Sequence, residues 1–212
     1  MITLTGICKQ GHIYCNTINY FRSVEDNNKR GDINEGKTHI KQIKDLTLLI
    51  EGKPIARAER GQLYFENPDD KGNLFCLYGV KTELIDLTRS TGQKITIEEQ
   101  FKDFGDSVLL IHNPKKFLNR VKIALKKLSK KYKFSPVSYY DRERYEGNLS
   151  PFFKSNLYEY QNEVRFWIQN EVDKPFEFFI GDISDISHKC SINELDKLKV
   201  KVLKQQNNNL HI

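Results

Sequence analysis

The sequence predicts an α+β fold: a mostly antiparallel, split or curved sheet with helices packed on it. It places one domain over residues 1–204 and a polar, frayed tail over 205–212. Three observations carry this. Short segments of alternating or continuous apolar residues recur along the chain, separated by Gly-, Asn- and Pro-containing turns. A single stretch near the middle has the three- and four-residue apolar spacing of a long helix. The 212 residues show no internal repeat and no Pro/Ser-rich linker, which fits one generous domain.

The elements follow in order. "TLTGICKQGHIYCNTINYFRS" reads as a short helix into Gly11, a strand over residues 12–16 and a turn; glycine is the usual residue just past a helix end. "VEDNNKRGDINEGKTHI" is polar and Gly- and Asn-containing, and reads as a loop or a helical turn. Alternation in "THIKQI" and "LTLLIEGKPIARAERGQLYF" predicts strands joined by a hairpin turn at "EGKP". After a turn at "NPDDKGN", "LFCLYGV" is a buried strand. "TIEEQFKDFG" is a short helix capped near Thr96, with Glu99 at capping-box spacing. "DSVLLIHN" is a strand.

Asn113 then caps a long helix with Pro114 at its first position. Phe117, Val121, Ala124, Leu125 and Leu128 form its buried stripe. "FSPVSYYD" reads as one strand. "SPFFKSNLYEYQ" is helix or loop running into a strand that includes "YEYQNEVRFWI", "PFEFFIGDI" is a further strand, and "SINELDKLKV" a short helix.

Composition narrows the functional classes. The charged fraction, 29%, is ordinary for a soluble protein, and no apolar run approaches bilayer-spanning length. "MITLTGICKQGHIY" lacks the basic start and apolar block of a secretory signal, so the expectation is cytoplasmic. Cys8, Cys15, Cys76 and Cys190 form no CxxC pair and read as reduced, wholly or half-buried thiols. No metal-ligand spacing is visible. The net charge of +6 is uneven. Residues 113–133 hold many cations and no acid, and Lys115, Lys116, Lys122, Lys126, Lys127 and Lys130 fall largely on the outward face of that helix. Such a face suits a nucleic acid or an acidic protein surface, although lysine is also the default exposed residue. It lacks aromatics for base stacking.

Two further clusters could carry chemistry. Arg22, Glu25, Asp26, Arg30, Asp32 and Glu35 crowd the loop at residues 21–36, where the expectation is a solvated turn with local ion pairs. Its functional reading is the mouth of a site with an arginine for an anionic ligand. In "YEYQNEVRFWI" alternation puts Tyr160, Asn162, Val164, Phe166 and Ile168 in one largely apolar row. Glu159, Gln161, Glu163, Arg165 and Trp167, the sole tryptophan, form the other, which reads as a site wall. An amide and a carboxylate two apart on a strand project from one face. That pair suits glycosidic chemistry, the carboxylate stabilising an oxocarbenium ion and the amide orienting a nucleophile. The alternative pairs Glu163 with Arg165 or Lys154 at the sheet edge.

The order of "GHIYCNTINYFRSVEDNNKRGDINEG", "NLFCLYGV", "VSYYD", "FFKSNLYEYQNEVRFWI" and "FIGDISDI" resembles the bacterial and phage family called domain of unknown function twenty-nine seventy-one. Lys154, Tyr158, Gln161, Glu163 and Arg165 match its late element, Gln161 standing for a glutamate. More distantly, the arrangement resembles the ADP-ribosyltransferase fold. That resemblance implies an NAD-dependent enzyme modifying a nucleic acid or protein acceptor in phage–host conflict. Glu163 and Gln161 would then be catalytic, Tyr14 or Tyr20 would stack on nicotinamide, Arg22 would hold the pyrophosphate, and Arg165, Trp167 and Lys154 would line the site. The chain departs from the fold's pattern in lacking a central Ser-Thr-Ser strand. The competing expectation is a non-catalytic phage or defence module that binds an acidic partner through the lysine helix.

Overall fold

The computed structural model describes residues 8–24, 31–67, 71–80, 85, 86 and 88–201. Glu25, Asp26 and Arg30 of the charged loop, and the tail at 205–212, lie outside the described residues. In chain order the elements are β1 (His12–Thr17), α1 (Ile18–Ser23), β2 (His39–Ile50), β3 (Lys53–Phe65), β4 (Gly72–Tyr78), β5 (Gln93–Lys94) and β6 (Ser107–Ile111). There follow α2 (Pro114–Lys127), β7 (Tyr132–Pro136), β8 (Ser138–Tyr140), β9 (Gly147–Asn148), β10 (Phe153–Ser155), β11 (Glu163–Gln169), β12 (Phe176–Phe179), β13 (Ser187–Ser191) and β14 (Lys199–Val200). Three 3₁₀ turns, Glu99–Phe104, Asn156–Gln161 and Ile192–Lys197, complete the described set.

The result is a mixed fold with several antiparallel sheets. The largest has the order β12-β1-β4-β11-β7. Along β11 the alternation is as expected: Phe166 and Ile168 join Ile13, Cys15 and Phe178 in one buried cluster, to which α2 contributes Phe117, Val121, Ala124 and Leu125. Asn113 caps α2 by accepting the Lys116 N–H at 3.0 Å. Leu128 does not join the stripe. It is the C-cap residue, directly after the last helical residue Lys127, and is 49% exposed.

Other local expectations needed correction. The turn after β1 is the helix α1, which Thr17 starts by accepting the Tyr20 N–H. The 3₁₀ turn at Glu99 begins from Glu98 with no side-chain cap, so Thr96 plays no capping part. "FSPVSYYD" is two strands in different sheets, β7 beside β11 and β8 parallel to β10, with Val137 between them donating its N–H to the Glu163 carbonyl. The short helix expected in "SINELDKLKV" is a 3₁₀ turn over Ile192–Lys197, which Ser191 and Glu194 open with a capping box. The hairpin turn also forms where "EGKP" put it, with Glu51 and Gly52 at φ 48° and 77°.

One irregularity opens the largest sheet. β1 pairs with β4 at only two positions, Asn16 with Leu74 and Thr17 with Asn73. Nearer its start, from His12 to Cys15, β1 pairs with β12 on its other edge. The sheet therefore splits between β1 and β4 beyond Leu74. Asn73, fully buried, holds the closed end by donating to the Cys15 and Lys174 carbonyls at 3.1 and 2.9 Å.

Candidate functional site

A cavity of about 330 Å³ opens at that split. β1 contributes Tyr14 and Asn16, and β4 contributes Leu74 to Tyr78. Phe21 of α1 and the stacked pair Phe101 and Phe104 complete an aromatic wall. Gln161 and Glu163 supply the polar end. A second cavity, also about 330 Å³, adjoins the same strands and is lined by His12, Leu109, Ile111, Phe117 and Ile183 among others. Strand edges left without a ladder expose backbone donors and acceptors to such a space.

Gln161 and Glu163 do not meet by strand alternation. Gln161 ends a 3₁₀ turn, Asn162 takes a left-handed conformation at φ 39°, and β11 begins only at Glu163. Lys154 joins them instead. Its ammonium donates to Gln161 Oε1 at 2.6 Å and reaches Glu163 Oε2 at 3.4 Å, while lying 4.6 Å from the centre of the Tyr158 ring.

Behind the cavity lies a buried charge network. Arg165 makes a two-pronged pair with Glu35, at 2.8 and 2.9 Å, and a further bond of 3.0 Å to Glu163 Oε2. It also donates to the Pro151 carbonyl, and its Nε–H alone finds no acceptor among the described residues. Arg165 is 1% exposed, Lys154 2%, Glu35 2% and Asp32 4%. The loop around Asp32 and Glu35 is therefore not a solvated turn. Charges this deep persist only when paired. β11 is also an interior strand, flanked by β4 and β7, so Glu163 does not sit at a sheet edge.

Burial pushes the Glu163 carboxyl up, but Arg165, Lys154 and the Cys76 thiol outweigh it and hold the group at about 2. Burial and the neighbouring Glu163 raise the Cys76 thiol well above its ordinary value, so it is no ready nucleophile. Burial likewise raises Tyr139, whose hydroxyl accepts the Glu163 N–H, to about 12. Because the Glu163 carboxyl is depressed below its ordinary 4.5 in the fold, its stabilising effect is complete above about pH 4.5 and lost as pH falls towards 2. Asp32, raised by its burial and by Glu35, works in the opposite sense and partly offsets that loss. Urea melts between these pH values are expected to show a loss on the order of 3 kcal/mol. Glu163→Gln should flatten most of that slope; an unchanged slope would remove Glu163 as its source.

The remaining predicted residues divide clearly. Tyr14 lines the cavity, whereas Tyr20 is 38% exposed on α1 and its neighbour Phe21 takes the lining position. Arg22 is occupied elsewhere, donating twice to the Glu35 carbonyl and once to the Glu66 carboxylate. Trp167 lies over Gly72, where any Cβ would fall 2.4 Å from the indole nitrogen, and is not part of the cavity wall. Lys115, Lys122, Lys126 and Lys127 are exposed as expected. Lys116 pairs with Asp185 at 2.5 Å, and Lys130 is half-buried 5.0 Å from the Phe176 ring centre, so the cationic face is smaller than its sequence. The sequence reading placed Asp32 and Glu35 in a solvated loop and missed that Glu35 turns inward to pair with Arg165.

Among the described residues no three His, Cys, Asp or Glu side chains converge so as to hold a metal ion, and no helix is long and apolar enough to cross a membrane. No known family profile, curated protein or solved structure matches this chain.

Proposed function

We propose that the split is a binding cleft for the nicotinamide–ribose end of NAD, and that the protein is an ADP-ribosyltransferase-like enzyme. One observation carries the reading: Tyr14, Gln161 and Glu163, from distant segments, line the same cavity where β1 leaves β4. The volume suits one end of a dinucleotide, being near the lower limit for ligand sites. Tyr14, Phe21, Tyr78 and Phe101 give the cavity an aromatic lining suited to a planar ring.

A carboxyl held at about 2 is no proton carrier at neutral pH. It is a fixed negative charge, which suits accepting bonds from ribose hydroxyls and stabilising positive charge at the anomeric carbon. In the reaction the C–N glycosidic bond breaks, nicotinamide leaves with the electron pair, and the acceptor nucleophile bonds to the carbon and gives up its proton. Arg165 and Lys154 both hold the Glu163 carboxylate through Oε2. Arg22 is not assigned to the pyrophosphate, since its guanidinium is committed to Glu35 and Glu66.

The test is incubation with labelled NAD and a lysate containing nucleic acid, reading nicotinamide release and label on macromolecules. Wild type is expected to give both. Tyr14→Leu removes a ring face and should raise KM about tenfold, as a lost stacking contact does. A folded wild-type protein that neither binds NAD nor releases nicotinamide would end this reading.

A further inference from the structure

The second cavity, about 330 Å³, meets the first at the gap between β1 and β4, where Tyr14, Phe75, Cys76 and Leu77 line both. Side-chain alternation sorts its walls. On β4, Phe75 and Leu77 pack on the cluster that holds Phe117 of α2, while Cys76 stands opposite Arg165 on the other face of the sheet. On β1, Ile13 and Cys15 join that cluster, so His12 and Tyr14 turn away from it. The three residues of the lining with polar side chains, His12, Tyr14 and Cys76, thus belong to the far face. Towards α2 the walls are Ile13, Phe75, Leu77, Phe117 and, from β6, Leu109 and Ile111. That side is hydrocarbon throughout.

This part of the interior is incompletely filled. Phe75, Leu77, Leu109 and Ile111 pack against the buried cluster, yet each is itself only half-buried. Unfilled apolar space costs stability in proportion to its size. Water does not relieve the cost, because an ordered water needs about two to four polar partners. A charged or polar ligand group would lose its hydration there with nothing to replace it. A cavity of about 150 Å³ with similar walls takes up benzene, so roughly twice that volume takes about ten to twelve carbons. The walls are mainly aliphatic, unlike the aromatic wall of the first cavity, and offer a planar ring little to stack on.

We infer that the second cavity binds an uncharged, straight-chain hydrocarbon group of about ten to twelve carbons. The chain lies on the α2 face, and its polar end stays in the gap, where β1 and β4 form no ladder. This site does not depend on the first cavity binding NAD.

Isothermal titration calorimetry of the full chain with 1-hexanol, 1-octanol and 1-decanol tests it. One saturable site is expected, with affinity rising about tenfold for every two carbons added, as the burial of methylene groups predicts. Leu109→Trp fills the α2 side without altering a residue of the first cavity, and should weaken 1-decanol about tenfold or more. Ile111→Phe fills less and should give a smaller loss, so the test survives if the tryptophan variant fails to fold. Near-ultraviolet circular dichroism establishes which variants are folded. No saturable binding of 1-decanol, an affinity independent of chain length, or binding indifferent to a folded variant overturns the inference. Tighter binding of 2-naphthol, which places the same number of carbons in planar rings, would assign the cavity to an aromatic ligand and overturn it too.

Discussion

Arg165→Met is expected to cost about 3–5 kcal/mol of stability at neutral pH, the usual penalty for removing one partner of a buried ion pair. Methionine matches much of the arginine stem, so lost packing contributes little, and the effect reports the charge. Without the guanidinium, Glu35 at 2% exposure loses its two-pronged partner, and Glu163 keeps only Lys154 among its described ion pairs. Against a typical stability of about 5–15 kcal/mol this is a large fraction. The pH dependence identifies the cause. Orphaned carboxylates take up protons readily, so the deficit relative to wild type should narrow as pH falls below about 5. Urea midpoints at several pH values measure it. A deficit under 1 kcal/mol, or one independent of pH, would mean that the network contributes little to holding the fold.

If the protein is the proposed transferase, Glu163→Gln is expected to lower NAD turnover about 100- to 1,000-fold, the range for losing one preorganised electrostatic contact to a transition state. The loss should fall on kcat, with KM changed much less, because the charge acts on the developing cation and the amide keeps the shape. The substitution is not structurally silent. It leaves Lys154 and Arg165 with one carboxylate fewer, which should cost about 1–3 kcal/mol. Activity must therefore be read from protein shown to be folded, by near-ultraviolet circular dichroism and a urea midpoint. Glu163→Asp keeps the charge but withdraws it by one methylene, and should fall between the two. If folded Glu163→Gln keeps wild-type turnover, the carboxylate is architecture and the cleft works by other groups.

The rows of β11 could be read because side-chain alternation is a property of a strand wherever it lies. Val164, Phe166 and Ile168 turned one way and Glu163, Arg165 and Trp167 the other. The same rule failed at Gln161, because Asn162 adopts a left-handed backbone that no pattern of hydrophobicity records. The charged loop was misread for a related reason. Glu35 and Arg165 lie 130 residues apart, and nothing local to "GDINEG" says that its carboxylates turn inward.

The local vocabulary was readable from the chain alone: the cap and stripe of α2, the turn at Glu51 and Gly52, the apolar row of β11. These depend on interactions within a few residues, so short windows contain their causes. Which strands are neighbours, and where their pairing stops, came from long-range packing. The split between β1 and β4, the burial of Glu35 against Arg165, and the meeting of Tyr14 with Glu163 all follow from strand order and register. Those are set by the packing of segments far apart in the chain, and the free energy that selects them is spread over the whole buried interior.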